Sequence, residues 1–188
     1  MPIPPPAHAT RVYKNARHEV WEWDQELYDG SHKTFSCMVR QDTAAVIPFL
    51  DANTVLLLWE AQPDRIKPFW DVPGGCIESD EQDPSHAVQR ELLEETGYRA
   101  QAVQHFRTTR FEGLSRFEEF VFLAKGLTDG GGPQREPGEK IELRPTAWDD
   151  AVKLALRGEL RRQEVMLAIL AMEFDPEARA IKQTFLQS

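Results

Sequence analysis

The chain has 188 residues, 41% hydrophobic and 28% charged, which is enough to bury a core of its own, and a formal net charge of −9. That charge excludes general affinity for nucleic acid, which needs clustered Lys and Arg, but not a phosphate ligand bridged by a cation. Cys37 and Cys76 are too few for a disulfide framework, MPIPPPAHAT has no apolar run of signal-peptide length, and no segment reaches about 18 apolar residues, so a cytoplasmic protein with free thiols and no membrane partner is expected.

Residues 1–10 read as a proline-rich, disordered tail, and residues 11–174 as one domain. Within it, strand-like runs at 18–23 and 34–39 flank the turn signal Asp29-Gly30, and runs at 42–49 and 54–59 flank Asp51-Ala52-Asn53. A polar loop follows at 60–69, then a short strand through Trp70-Asp71-Val72-Pro73 into Gly74-Gly75, a pair suited to positive φ or close backbone approach. Asp83-Pro84 supplies an N-cap and a first-turn proline, Ala87, Val88, Leu92 and Leu93 give the following helix an apolar side, and Gly97 reads as its stop. Strands are expected at 100–107 and 117–124 with a loop at 108–116 between them, and the stretch TDGGGPQREPG at 128–138 is the clearest flexible loop. A short strand at 141–144 and helices at 147–156 and 159–174 complete the pattern, with 175–188 as a C-terminal tail that is a further helical turn or a frayed end. No internal repeat is present.

The chemistry is concentrated in Arg90-Glu91-Leu92-Leu93-Glu94-Glu95-Thr96-Gly97. On a helix Glu91, Glu94 and Glu95 share one face as i, i+3 and i+4 neighbours, and like charges so placed repel by a few tenths of a kcal/mol per pair. Taken alone, such a run is most often a solvated acidic face. Preceded by a strand, a glycine turn and a capped helix start, it reads instead as a site of hard oxygens for Mg²⁺, Mn²⁺ or Ca²⁺, which would turn the repulsion into attraction.

On these residues the chain resembles the Nudix hydrolases. Their signature is matched by Gly75 and Glu81 in its first part and by Arg90, Glu91, Leu92, Glu94, Glu95, Gly97 and Tyr98 in its second. One departure is visible. Eight residues separate Glu81 from Arg90 where the signature has seven, and the extra one falls around Gln82-Asp83, ahead of the helix, so the helical face stays in register. The resemblance implies an α/β fold, a Nudix-type α/β/α sandwich with a mixed β-sheet and a catalytic loop–helix–loop. It also implies divalent-metal-dependent hydrolysis of a nucleoside diphosphate linked to another moiety. Glu91 and Glu95 are then the principal metal ligands with Glu94 as a further one. The backbone carbonyl of Gly74 or Gly75 joins them, and Arg90 orients a carboxylate.

Weaker similarities over residues 11–172, such as Asp29-Gly30 before a strand and the run TAAVIPF at 43–49, point to the ADP-ribose and nucleotide-sugar pyrophosphatase branch. In that branch the general base comes from a mobile loop after the sheet, which places Glu139 first and Glu136 second, with Glu118 and Glu119 as further candidates. Phe111 stands where that branch usually has a proline, and it enters the reading as a substrate contact. Trp70, with Trp21, Trp23, Trp59 and Phe69, is a candidate base-stacking surface, although most of these aromatics read as core or dimer-interface residues. Arg65 is a candidate contact to a terminal phosphate or ribose or equally a surface charge. The resemblance also implies a homodimer in which residues 11–40 are exchanged or shared, and a small nucleotide as substrate. The competing expectations are a nucleoside triphosphate pyrophosphohydrolase, a non-catalytic nucleotide sensor of the same fold, and an isopentenyl diphosphate isomerase-like enzyme. A sensor usually lacks the box carboxylates that this chain keeps. The isomerase would need a reactive cysteine and a histidine-rich metal site, which Cys37, Cys76 and five scattered histidines do not clearly make.

Overall fold

A computed structural model of the protein describes residues 4–135, 137–138 and 140–188. Its central strand is β4 (Thr43–Asp51), whose residues 43–49 are all buried, as expected of a strand covered on both faces. β4 pairs in parallel with β9 (Ser115–Asp129) and antiparallel with both β5 (Thr54–Ala61) and β7 (Gly74–Cys76). The two antiparallel partners share one edge of β4. β7 takes residues 43–45, Val46 donates to the Pro73 carbonyl, and β5 begins only at Phe49. Pro48, which has no N–H to offer, falls in the gap between these pairings.

The remaining strands extend the same mixed sheet. β1 (Thr10–Lys14), β2 (His18–Glu26) and β3 (His32–Arg40) form an antiparallel ribbon joined to β9 by a short parallel contact, Met38 opposite Ser115. On the other side β10 (Lys140–Ala147) and the short β6 (Phe69–Asp71) both pair with β5, while β8 (Tyr98–Glu112) pairs along β9. Alternation along β4 divides the core in two. Ala44 and Val46 face α1 (Pro84–Thr96) with its Ala87, Val88 and Leu92. Ala45, Ile47 and Phe49 face α2 (Trp148–Leu156), α3 (Gln163–Phe174) and α4 (Pro176–Gln187). Helices on both faces of one mixed sheet make the expected α/β/α arrangement.

The helix carrying the acidic cluster forms as its punctuation predicts. Asp83 accepts a hydrogen bond from the Ser85 N–H at 2.9 Å, Pro84 opens the first turn, and Gly97 closes the helix at φ 79° with its N–H on the Leu93 carbonyl.

Four expectations need correction. Residues 108–116 are not a loop. The β8–β9 hairpin runs on to Glu112 opposite Arg116 and turns at Gly113-Leu114. Its outer end, TTRFEGLSR, has too few apolar residues to show the alternation that marks a strand, but its main chain is paired and Phe111 stacks on Phe117 at 4.4 Å. The short strand at 141–144 is the middle of the longer β10. The last long helix starts at Gln163, not 159, because Leu160 bridges to Trp70 as a fragment of extended chain. Residues 175–188 are more than a helical turn or a frayed end, since 176–187 form a full helix. Asp175 caps α4 by accepting from Ala178, and Phe185 is buried against the second core cluster.

Since the Asp83 cap defines where the acidic helix starts, Asp83→Ala is expected to lower unfolding stability by about 1 kcal/mol in urea titration, with the far-ultraviolet spectrum unchanged.

Candidate functional site

The site is built where β7 meets α1. Gly74 and Gly75 are required there by close approach rather than by positive φ. A Cβ on Gly74 would lie 2.5 Å from the Ala44 carbonyl oxygen, and a Cβ on Gly75 would lie 2.1 Å from Glu91 Oε1. The glycine turn thus lets β4 and the α1 carboxylates press against the same backbone. The Gly74 N–H donates to Glu95 Oε2 at 3.2 Å, which sets the direction of that side chain.

Arg90 organises the outer half of the cluster. Its Nη1 donates to Glu91 Oε1 at 2.8 Å and Glu94 Oε2 at 3.1 Å, its Nε to Glu81 Oε1 at 3.0 Å, and its Nη2 to Glu81 Oε2 at 3.3 Å and the Cys76 carbonyl at 3.0 Å. Glu81 therefore stays in the cluster despite the extra residue before the helix. The loop after β9 docks on the C-terminal end of α1. The Gln134 N–H donates to the Glu94 carbonyl at 2.8 Å and Arg135 Nε to the Glu95 carbonyl at 3.1 Å, satisfying acceptors that a helix end leaves open.

A second group of charges forms the floor. Arg162, with a side chain 8% exposed, places Nε 3.3 Å from Asp71 Oδ1 and Nη1 3.6 Å from Glu119 Oε1, and donates from Nη2 to the Gly74 carbonyl. Arg161 reaches the other Asp71 oxygen at 3.3 Å. Both arginines are delivered by the extended segment 160–162, because Leu160 bridges to Trp70 and the Arg161 N–H donates to the Trp70 carbonyl.

Burial dominates the electrostatics. It holds the Glu95 carboxyl well above the usual carboxylate range, with the charge of Glu91 adding to the rise and Arg162 opposing it. Burial likewise raises Glu91 and Glu119, against the pull of Arg90 on the first and Arg162 on the second. Glu81 moves down, because its hydrogen bonds to Arg90 and the Glu78 N–H outweigh its burial.

These groups surround a cleft of about 860 Å³ lined by Gly74, Gly75, Glu91, Glu94, Glu95 and Arg162, with Arg17, His18, Arg40 and Arg161 among its other walls. Carboxylates and backbone carbonyls are the donors a hard divalent cation takes, so the residues fit such an ion in kind. Among the described residues, no three acidic, histidine or cysteine side chains converge as a ready-made metal group. The positive charge the carboxylates need is met by Arg90 and Arg162. Thr43 Oγ1 and Glu119 Oε1 are buried without a hydrogen-bond partner, which leaves acceptor capacity close to the floor.

Of the residues expected from the sequence, Arg90, Glu91, Glu94, Glu95 and Gly75 come together in this cleft. Glu136 and Glu139 lie outside the described residues, though their neighbours Gln134 and Gly138 line it. Three others do not line it. Trp70 packs on Trp59 at 5.0 Å and against the core. Phe111 is taken up by the stack with Phe117. Arg65 lies over Phe69 at 5.1 Å, beside a separate shallow depression formed with Ile66 and Lys67. Glu118 is held by Arg110 at 2.7 Å and Glu119 faces Arg162, so neither opens onto the cleft. Arg162, Arg161 and Arg40 are absent from the sequence reading. The available signal was Asp71, an acid inside a short apolar strand, which needs a cation from elsewhere in the chain.

A family model described as the NUDIX domain matches residues 39–168. The chain is 33% identical over 107 residues to the CMP-5'-(N-acetyl-N-hydroxy-3-aminopropyl)phosphonate hydrolase of Streptomyces rubellomurinus (strain ATCC 31215), an alignment covering 55% of this chain and only 50% of that relative. It is 23% identical over 176 residues to the ADP-ribose pyrophosphatase of Bacillus subtilis (strain 168), covering 92% of this chain and 94% of that one. A crystal structure of an ADP compounds hydrolase superposes with a TM-score of 0.74 at 17% identity, over 89% of this chain and 90% of that chain, a likeness of fold.

Two outcomes are expected from this geometry. Gly75→Ala should displace Glu91 and abolish turnover of any substrate the wild type cleaves, with a thermal midpoint close to wild type, since the clash is with a side-chain end. In EDTA, carboxyls raised in the folded state contribute stability that is complete below the ordinary value of 4.5 and is lost as pH rises through their raised values. The metal-free midpoint should therefore fall in scanning calorimetry as pH is raised above that ordinary value, and a rise would contradict the assignment. With the match running from the end of β3 into the middle of α3, the chain belongs to the Nudix family and is a Nudix pyrophosphohydrolase.

Proposed function

We propose that the protein hydrolyses, in a divalent-metal-dependent reaction, the pyrophosphate bond of a nucleoside diphosphate joined to another moiety, with ADP-ribose or a nucleotide sugar as substrate. The observation that carries this reading is the meeting of Glu91, Glu94 and Glu95 with Gly74 and Gly75 on one wall of a single cleft. Glu91 and Glu95, assisted by Glu94 and a backbone carbonyl, would hold Mg²⁺ or Mn²⁺. The ion supplies neutralisation of phosphate oxygens and activation of the attacking water.

The chain's own residues do the rest. Arg90 fixes the rotamers of Glu91 and Glu94, and the Gly74 N–H fixes that of Glu95. Glu139, or Glu136 three residues before it, accepts the proton from the attacking water. The docking of Gln134 and Arg135 on the end of α1 supports this by tying their loop to the cluster. Arg17, Arg40 and Arg161 offer positive charge to the anionic part of the substrate from other walls of the same cleft. The likeness to the ADP-ribose pyrophosphatase over nearly the whole chain supports the substrate class.

A second reading is favoured by one observation. The relative of higher identity acts on a cytidine nucleotide joined to a phosphonate, so the linked moiety here extends to a phosphonate or another acid. The ribbon β1–β3, with Val12 and Tyr13 about half exposed, supports a homodimer formed through these strands. The free Cys37 and Cys76 are consistent with work in the cytoplasm.

Phosphatase-coupled phosphate release from a panel of ADP-ribose, nucleotide sugars, dinucleoside polyphosphates, nucleoside triphosphates and a cytidine phosphonate conjugate tests the substrate class. Preferential cleavage of ADP-ribose or a nucleotide sugar is expected with Mg²⁺ or Mn²⁺, and turnover of triphosphates alone would overturn it. Glu95→Gln should cut kcat by at least roughly 100-fold in a folded protein. Of Glu139→Gln and Glu136→Gln, the first should lose more kcat, and unchanged kcat in both would remove the base from this loop.

A further inference from the structure

Arg162 is the most deeply buried cation of the floor, and it belongs to no part of the Nudix signature. It stands among four carboxylates. Asp71 and Glu119 are ion-paired to it at 3.3 and 3.6 Å, and the charges of Glu91 and Glu95 act on it as well. Neither ion pair is a hydrogen bond at Arg162 Nε or Glu119 Oε1, so the guanidinium is held mainly by charge and by its bond to the Gly74 carbonyl. That carbonyl belongs to the residue whose N–H directs Glu95. One side chain therefore grips the glycine turn from the carbonyl side while Glu95 grips it from the amide side.

Buried carboxylates in a medium of low effective dielectric need a partner of opposite charge, and removing that partner leaves them uncompensated. A divalent ion bound by Glu91 and Glu95 would meet the same need, but it would also be repelled by Arg162. We propose that Arg162 is the resident counter-cation of this site. It is a positioning residue that holds the Gly74 carbonyl, Asp71 and Glu119 in place without metal, and its fixed charge limits how tightly Glu91 and Glu95 hold a divalent ion. The inference rests on the metal-dependent reading of the site.

The test uses the full chain and Mn²⁺, and reads thermal midpoint and Mn²⁺ affinity rather than turnover. Arg162→Met keeps the volume and removes the charge. Its midpoint in EDTA should fall below wild type, Mn²⁺ should raise it by a larger increment than in wild type, and its Mn²⁺ Kd by titration calorimetry should be tighter by on the order of tenfold. Arg162→Lys should keep both quantities near wild type. A residue that merely packs would lower the midpoint equally with and without Mn²⁺, so equal increments, or a weaker Kd in Arg162→Met, overturn the proposal. If Arg162→Met does not fold, the double variant Arg162→Met with Glu119→Gln should, because it removes one uncompensated carboxylate, and failure of both overturns it. Absence of any Mn²⁺ effect on the wild type would sink the metal reading together with this inference. A wild-type effect that is not enlarged in Arg162→Met would sink this inference alone.

Discussion

A group of carboxylates pressed into the floor of one cleft is the constraint on which the rest of this structure depends. Glu95 and Asp71 are almost fully buried, Glu91 and Glu119 nearly so, and each would be costly to ionise there without positive charge close by. Two arginines from distant parts of the chain meet that demand. Arg90 comes from the same helix as the glutamates and spans Glu81, Glu91 and Glu94. Arg162 comes from the far side of the sheet, ahead of α3, and closes the floor. Everything that delivers these side chains is in turn constrained. The glycine turn must lack Cβ atoms, α1 must begin at Asp83 so that its acidic face points at the turn, and the 160–162 segment must stay extended alongside β6.

The sheet makes those demands compatible. β4 is buried on both faces, so α1 is fixed by Ala44 and Val46 on one side while α2, α3 and α4 are fixed by Ala45, Ile47 and Phe49 on the other. The acidic helix and the arginine-bearing segment thus belong to opposite layers. They meet at the end of β7, where the sheet is short enough to let Arg162 reach the Gly74 carbonyl. This is a rigid way to hold a dense negative charge. The carboxylates are oriented by backbone N–H groups and guanidinium forks, whose donors have fixed geometry, rather than by mobile lysines.

The boundaries of α1 were legible because they depend on local chemistry. An Asp-Pro pair starts a helix and a glycine in the left-handed region stops it, whatever the tertiary context. The same Asp-Pro signal stood at 175–176, ahead of apolar positions at Ala178, Ala180, Ile181, Phe185 and Leu186, yet the end of a chain reads equally as a helical turn or a frayed end. Only contact between Phe185 and the core, and between the Lys182 amine and the Trp148 ring at 3.7 Å, shows why it folds. The outer β8–β9 hairpin was missed for the opposite reason. Its ladder is held by main-chain pairing that no side-chain pattern reports.

The sequence by itself determined the acidic helix, the glycine turn, the carboxylate cluster and the sandwich they imply, because those follow from spacing within about 25 consecutive residues and from the periodicity of helix and strand. It also placed Arg90 correctly, since i and i+4 on one helix are neighbours in any fold. Only the tertiary structure decided that Arg162 and Asp71, 91 positions apart, form the floor of the site. It likewise decided that Trp70, Phe111 and Arg65 are occupied elsewhere. The physical reason is that charge compensation in a buried site is set by distance in space, and distance between residues on different layers is fixed by how the sheet packs, which no local pattern encodes.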